Sequence, residues 1–223
     1  MIRIAARYNG PPGSGNGGYS AGRFALAAGV AGPAEVTLRR PPPLDVPLSL
    51  STQDGLVAVQ DPAGELVAEV RAASSTLDAS VPPVGWDEAV TASAHYPGFT
   101  SHPFPTCFVC GPQRAEGDGL RLFPGRLGDG RTATPFVAPD ERGAEFVWAA
   151  LDCPGGWAVP LEGRPYVLGR MAARVDAVPA ARERCVVMGA QTGEDGRKAF
   201  TVTTLYASDG TTLATAAATW IAL

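Results

Sequence analysis

Several stretches of the chain alternate apolar with polar residues at period two, and two others carry apolar residues at helical spacing. The first pattern marks half-buried antiparallel strands, the second helices with a buried face. Residues 2–8 predict a short opening strand. A loop rich in glycine and proline follows (NGPPGSGNGG), and then Tyr19, Phe24, Leu26 and Ala27 fall near helical spacing within 19–30. Four strands are expected next, at 34–40, 46–51, 55–60 and 65–73. The same order then returns. Residues 131–140 predict a strand running into a loop. The segment EFVWAALDCPGGWA (145–158) predicts an apolar helix stopped or bent at Pro154 and the Gly155–Gly156 pair. Strands follow at 166–178, 184–192, 198–207 and 211–223, the last two joined through Ser208-Asp209-Gly210 as a tight hairpin. One further strand, at 119–125, leads the second copy.

Strand, helix and four strands, twice over, read as an α+β fold in which each helix buries its apolar face on the concave side of its own sheet. The chain then divides into a first repeat at 1–73, a connecting strap at 74–106 and a second repeat at 107–223. A pseudo-twofold axis should relate the repeats, and their sheets should meet edge to edge, hiding two strand edges. The strap holds VPPVGWDEAV and HYPGFTSHPFP, whose prolines and aromatics predict an ordered crossing of the surface.

Composition narrows the function. A chain of 223 residues, 45% apolar, can bury a core without a metal or disulfide staple. A net charge of −4 with no basic stripe excludes a nucleic-acid partner. No run of about 20 apolar residues occurs, so no membrane association is expected, and the protein is placed in the cytoplasm with its four cysteines as thiols. The two histidines, His95 and His102, both fall in the strap, which argues against a Ser-His-Asp hydrolase. With no P-loop and no dinucleotide fingerprint in a βαβ setting, no cofactor is expected.

Three segments resemble the hotdog-fold superfamily, which includes acyl-CoA thioesterases. CFVCGPQRAEGDGLRLFPG (107–125) is similar to a Cys-x-x-Cys-Gly lead-in to the first strand. NGPPGSGNGGYSAGRFA (9–25) resembles a signature in which an Asn, here Asn9, is followed several residues on by His-Gly-Gly, with Asn16 standing in place of the His. EFVWAALDCPGGWA resembles the same helix carrying an Asp about two turns in. The resemblance implies a double hotdog, two antiparallel sheets each wrapped around a central helix. It also implies a site between units, with an amide from one and a carboxylate from the other.

The residues can support that chemistry. A helix N-terminus offers unpaired N–H groups to a developing oxyanion, and Gly17 and Gly18 open the first helix. Asp152 is an acid in an otherwise apolar helix, a costly placement that a base or nucleophile would justify. The two copies are complementary. Counted from Gly143, Asp152 is the tenth residue, whereas the tenth from Asn16 is Ala25. The expected catalytic set is therefore Asp152 with Gly17 and Gly18, and the expected substrate contacts are Asn9, Asn16, Trp148 and Trp157. Cys107 and Cys110, with His102 upstream, supply three nearby metal ligands of the four a structural zinc site takes, and a fourth from His95 or Cys153 would need a favourable fold. The pair is expected reduced and metal-free, with Cys153 and Cys185 as packing residues. The first functional reading is an acyl-CoA thioesterase, with a homo-oligomer left open. The second is a non-catalytic binder of acyl-CoA or another small ligand.

Overall fold

The computed structural model describes residues 1–73, 77, 80–141 and 143–223. Its elements in chain order are α1 (Gly17–Ala28), β1 (Ala34–Leu38), β2 (Ser49–Gln53), β3 (Leu56–Gln60), β4 (Leu66–Ala72), α2 (Trp86–Ser93), β5 (Gly125–Arg126), β6 (Thr132–Val137), α3 (Ala144–Gly156), β7 (Tyr166–Val175), β8 (Arg184–Asp195), β9 (Lys198–Tyr206) and β10 (Thr212–Ala222). The strands form one antiparallel sheet in the order β2-β3-β4-β1-β7-β10-β9-β8-β6-β5. The two sheets expected from the sequence are thus one, joined edge to edge at β1 and β7. The strands that follow α1 and α3 pair with each other, from Ala34↔Ala173 to Thr37↔Arg170, so each half covers the other's open edge. The order β2-β3-β4-β1 on one side matches β8-β9-β10-β7 on the other. An antiparallel pair of equivalent strands is what a twofold relation produces at a seam.

Helix α1 packs on β1, β4 and β7, while α3 packs on β6 to β10, and the two helices pack on each other. Every residue of α3 from Phe146 to Gly156 is buried. The helix includes Pro154 and ends at Gly156, within the Gly155–Gly156 pair where a stop was expected. Proline costs one backbone hydrogen bond there, but its carbonyl accepts from Thr132 Oγ1 at 2.7 Å. Gly155 and Gly156 fit against Thr201, Thr203 and Trp220, so the sheet holds the last turn in place.

Two expected strands are not strands. Residues 2–8 make only single bridges, Ile2 to Leu48 and Ile4 to Leu44, before a 3-10 turn at Ala6–Tyr8. The facing segment contains Pro41, Pro42, Pro43 and Pro47, which have no N–H to extend a ladder. Residues 119–125 pair with the Cys-x-x-Cys loop instead of the sheet, Leu120 N to Phe108 O and Leu122 N to Val109 O, both at 2.8 Å. Only Gly125–Arg126 joins β6.

The strap carries α2 across the outer face of β5, β6 and β8. It encloses a second small core of Val81, Ala89, Ala92, Ala133, Val186, Met188 and Tyr206. Tyr206 Oη donates to Val81 O at 2.7 Å, fixing strap to sheet. Because Cys185 and Val187 face the main core and Val186 and Met188 face this one, β8 reads as a continuous apolar run. The start of the strap, at 74–76, 78 and 79, lies outside the described residues. Among the described residues, no helix is long and apolar enough to cross a membrane.

Candidate active site

The site is built where the N-terminus of α1 meets the side of α3. Asn16 caps α1 by accepting the Tyr19 N–H on Oδ1 at 2.8 Å, which leaves two orphan donors nearby, the N–H groups of Gly17 and Gly18. Gly18 N–H donates to Asp152 Oδ2 at 2.9 Å, and Gly17 N–H has no partner among the described residues. The cap also fixes the amide of Asn16. With Oδ1 committed to Tyr19, Nδ2 points to Asp152 Oδ2 at 3.0 Å and to Cys107 Sγ at 3.7 Å. The N-terminus of α1 is thus tied to the side of α3 through one carboxylate oxygen.

Glycine at position 18 is required by this contact. A Cβ there would lie 2.4 Å from Asp152 Cβ and 2.7 Å from Trp148 O. Gly22, one turn on, lies equally close to Glu145 and Trp148. The two glycines let the helices approach until a backbone amide can reach a carboxylate.

Asp152 is 2% exposed. Its Oδ1 has no hydrogen-bond partner among the described residues. Burial pushes its carboxyl up to about 7, against the bonds from Gly18 and Asn16, which favour the ionised form, and with some help from the charge of Cys107. An acid that titrates near neutrality, with one oxygen free, can take or give a proton at working pH.

Asp152 lines a cavity of about 510 Å³ between the halves, together with Asn16, Gly17, Trp157, Leu168 and Trp220. Exposed Arg39, Arg40 and Arg197 also line it, at its mouth. Of the residues expected at the site, Asn9 and Trp148 are elsewhere. Asn9 anchors the Cys-x-x-Cys loop, with its carbonyl accepting from Phe108 N at 2.7 Å and its Nδ2 donating to Thr106 Oγ1 at 3.3 Å. Trp148 is 4% exposed and packs against Gly22 of α1. An apolar helix buried on every side leaves no sequence signal for which tryptophan faces a cavity and which a neighbouring helix.

Sequence reasoning weighed Cys107 and Cys110 as metal ligands with Cys153 as a possible further one, expected the pair reduced and metal-free, and placed no cysteine at the catalytic site. The structure places Cys107, Cys110 and Cys153 in the cavity wall beside Asp152, with their Sγ atoms within 4.8 Å of one another. His102 lines the same cavity, its Nε2 3.4 Å from Cys110 Sγ. The sequence signals for this grouping were the Cys107–Cys110 spacing and the adjacency of Cys153 to Asp152. His95 lies apart from this group, its ring bonded to Thr91 O.

No protein-family model matches the chain, and no curated protein matches it in sequence. Solved structures do. A conserved protein of unknown function with a hot dog fold, from Alicyclobacillus acidocaldarius, is 13% identical with a TM-score of 0.64, over 99% of this chain and 91% of that one. A provisionally assigned thioesterase from Novosphingobium aromaticivorans is 19% identical with a TM-score of 0.60, over 99% and 93% of the two chains. A tesB protein of Mycobacterium avium subs paratuberculosis is 12% identical with a TM-score of 0.58, over 99% and 90%. This chain has the hotdog fold along its whole length.

Proposed function

We propose that the protein hydrolyses acyl-CoA thioesters at one composite site, to which the first repeat (1–73) brings the N-terminus of α1 and the second (107–223) brings Asp152. The observation that carries this reading is the buried carboxylate with a free oxygen in the cavity wall, beside an unpartnered helix N-terminal amide. Gly17 N–H would hold the thioester carbonyl oxygen, where one oxyanion donor typically contributes about 10²–10³ in rate. Gly18 serves differently, because its N–H is committed to orienting Asp152. Ionised Asp152 would take the proton from attacking water on Oδ1. Two further points bear on the substrate class. Arg197 lines the cavity beside Arg39, which is paired with Glu69, and Arg40, which is paired with Asp61 and Glu65, so a CoA phosphate would meet guanidinium groups there only by sharing them with these carboxylates, and two of the fold's relatives are named for thioesterases or tesB.

A panel of acyl-CoA substrates assayed for released thiol tests the reading. Catalytic release with at least one acyl group is expected, falling by about 10²-fold or more in Asp152→Asn. Saturable acyl-CoA binding without release would instead make the protein a non-catalytic binder.

A further inference from the structure

We propose that Cys107, Cys110 and Cys153 hold a zinc ion in the cavity wall, with its fourth coordination position open to the cavity. The Cys-x-x-Cys pair was expected to be metal-free because a further ligand depended on the fold. The fold supplies one: α3 brings Cys153 to the pair, and the three Sγ atoms lie within 4.8 Å of one another. Zinc binds thiolate sulfur at about 2.3 Å, so tetrahedral sulfurs lie about 3.8 Å apart, and each pair here closes by no more than about 1 Å to reach that spacing.

The cage is held in place by the chain around it. Gly111 N–H donates to Cys107 O at 2.9 Å and closes the turn that carries both cysteines of the pair. A Cβ on residue 111 would lie 2.5 Å from Cys107 N and 2.6 Å from Pro105 O, so the turn needs the glycine that follows the second cysteine. The loop is tied on both flanks, by Phe108 N–H to Asn9 O at 2.7 Å and by the Leu120 and Leu122 N–H groups to Phe108 O and Val109 O at 2.8 Å. Cys153 stands on a helix buried on every side. All three thiols are buried, so little side-chain freedom remains to be lost when a metal binds.

The donors around the sulfurs suit thiolate ligands. Asn16 Nδ2 donates towards Cys107 Sγ at 3.7 Å. Phe104 N–H donates to His102 Nδ1 at 2.9 Å, so in the neutral ring Nε2 carries the proton, and it faces Cys110 O at 3.2 Å and Cys110 Sγ at 3.4 Å. Hydrogen bonds of this kind orient metal ligands from behind. The same proton leaves His102 without a lone pair for the metal, and no fourth donor joins the three sulfurs among the described residues. All three cysteines line the cavity. Three protein ligands with one position facing a cavity make a zinc that can exchange its fourth ligand, where a closed structural site would take four. Asp152 Oδ1, unpartnered on the same wall, is an acceptor available to a water bound there. Zinc with three thiolates carries one net negative charge, the sign that Cys107 exerts on Asp152, so the ion leaves that carboxyl raised.

The site stands whether or not the cavity takes a thioester, and its test contains no acyl-CoA, so failure here and failure of the hydrolase reading are separate results. Intact reduced protein, expressed with zinc and gel-filtered in a weak chelator, is read by elemental analysis. About one equivalent of zinc per chain is expected. Cobalt(II) exchanged for the zinc should give the visible bands of a four-coordinate ion with a thiolate-to-cobalt charge-transfer band, and added imidazole should shift the visible bands by entering the open position. Cys107→Ala, Cys110→Ala and Cys153→Ala should each lose stoichiometric metal, while Cys185→Ala, which alters a buried thiol of β8 outside the cavity lining, should keep it. The measurements on the parent decide the matter if an alanine variant fails to fold. Reduced parent protein that holds no stoichiometric zinc overturns the proposal, as does full metal retention in folded Cys153→Ala. Cobalt bands unmoved by imidazole overturn the open fourth position.

Discussion

Replacing Asp152 by asparagine should make the protein more stable at alkaline pH while removing its activity. Among the described residues the carboxyl has no cation against it, only donors from Gly18 and Asn16 on one oxygen. Burial raises it from 3.8 to about 7 on folding, so the folded state favours the neutral form. At about 1.4 kcal/mol per pKa unit this preference amounts to about 4 kcal/mol. Because the folded value lies above the unfolded one, the stabilisation is complete below about pH 4 and is lost as pH rises towards 7. Asparagine keeps the shape, its carbonyl can accept both bonds, and it never ionises. Thermal melts of parent and Asp152→Asn should therefore lie close together near pH 4 and separate as pH rises, the variant being the more stable by about 4 kcal/mol near pH 8. For a chain of this size each kcal/mol shifts Tm by about 2–4 °C, so the gap should be about 10 °C. Circular dichroism at fixed pH steps measures it, and groups common to both proteins cancel. Melting curves that stay parallel from pH 4 to pH 8 would refute a desolvated carboxyl at this position.

The other expectations follow from the same contacts. Turnover at saturating acyl-CoA should rise as pH passes through about 7, because only ionised Asp152 can take a proton from water, and stopped-flow thiol release should show this limb disappearing in Asp152→Asn. Gly18→Ala puts a Cβ 2.4 Å from that of Asp152, so it should destabilise by about 1–3 kcal/mol in urea melts and also reduce turnover by displacing the carboxylate. Asn16→Asp keeps a good helix cap but faces Asp152 with a second carboxylate in place of a donor, so the pH limb should move upward and turnover near pH 7 should fall.

Much of the frame was legible because antiparallel strands with one covered face announce themselves by alternation, as β1 does with Ala34 and Val36 buried and Glu35 and Thr37 only partly so. The misread segments had the right pattern and the wrong neighbour. Residues 119–125 look like a strand, yet their backbone partners are Phe108 and Val109 of a loop. Residues 2–8 look like another, yet prolines on the facing segment prevent a ladder. Alternation reports which side chains are buried and says nothing of what the backbone bonds to. The joining of the two sheets edge to edge was expected from the duplication, but which strands form the seam was not legible, since it depends on β1 and β7 meeting across the chain. At the site, Asp152 stood out because a charge in an apolar helix is expensive. Cys107 and Cys153 did not, because a buried thiol is ordinary until the fold shows which other thiols surround it.

The account's central claim is that Asp152 and the N-terminus of α1 face one thioester carbonyl. The most direct measurement is a crystal structure with an acyl-CoA analogue whose thioester sulfur is replaced by methylene, which keeps the carbonyl and cannot be hydrolysed. The account predicts the carbonyl oxygen at about 3 Å from Gly17 N, the acyl group inside the cavity with Trp157 and Trp220, and Asp152 Oδ1 turned towards the carbonyl carbon. An analogue bound elsewhere, or one bound in the cavity with its carbonyl oxygen turned away from Gly17 and Asp152, would contradict it.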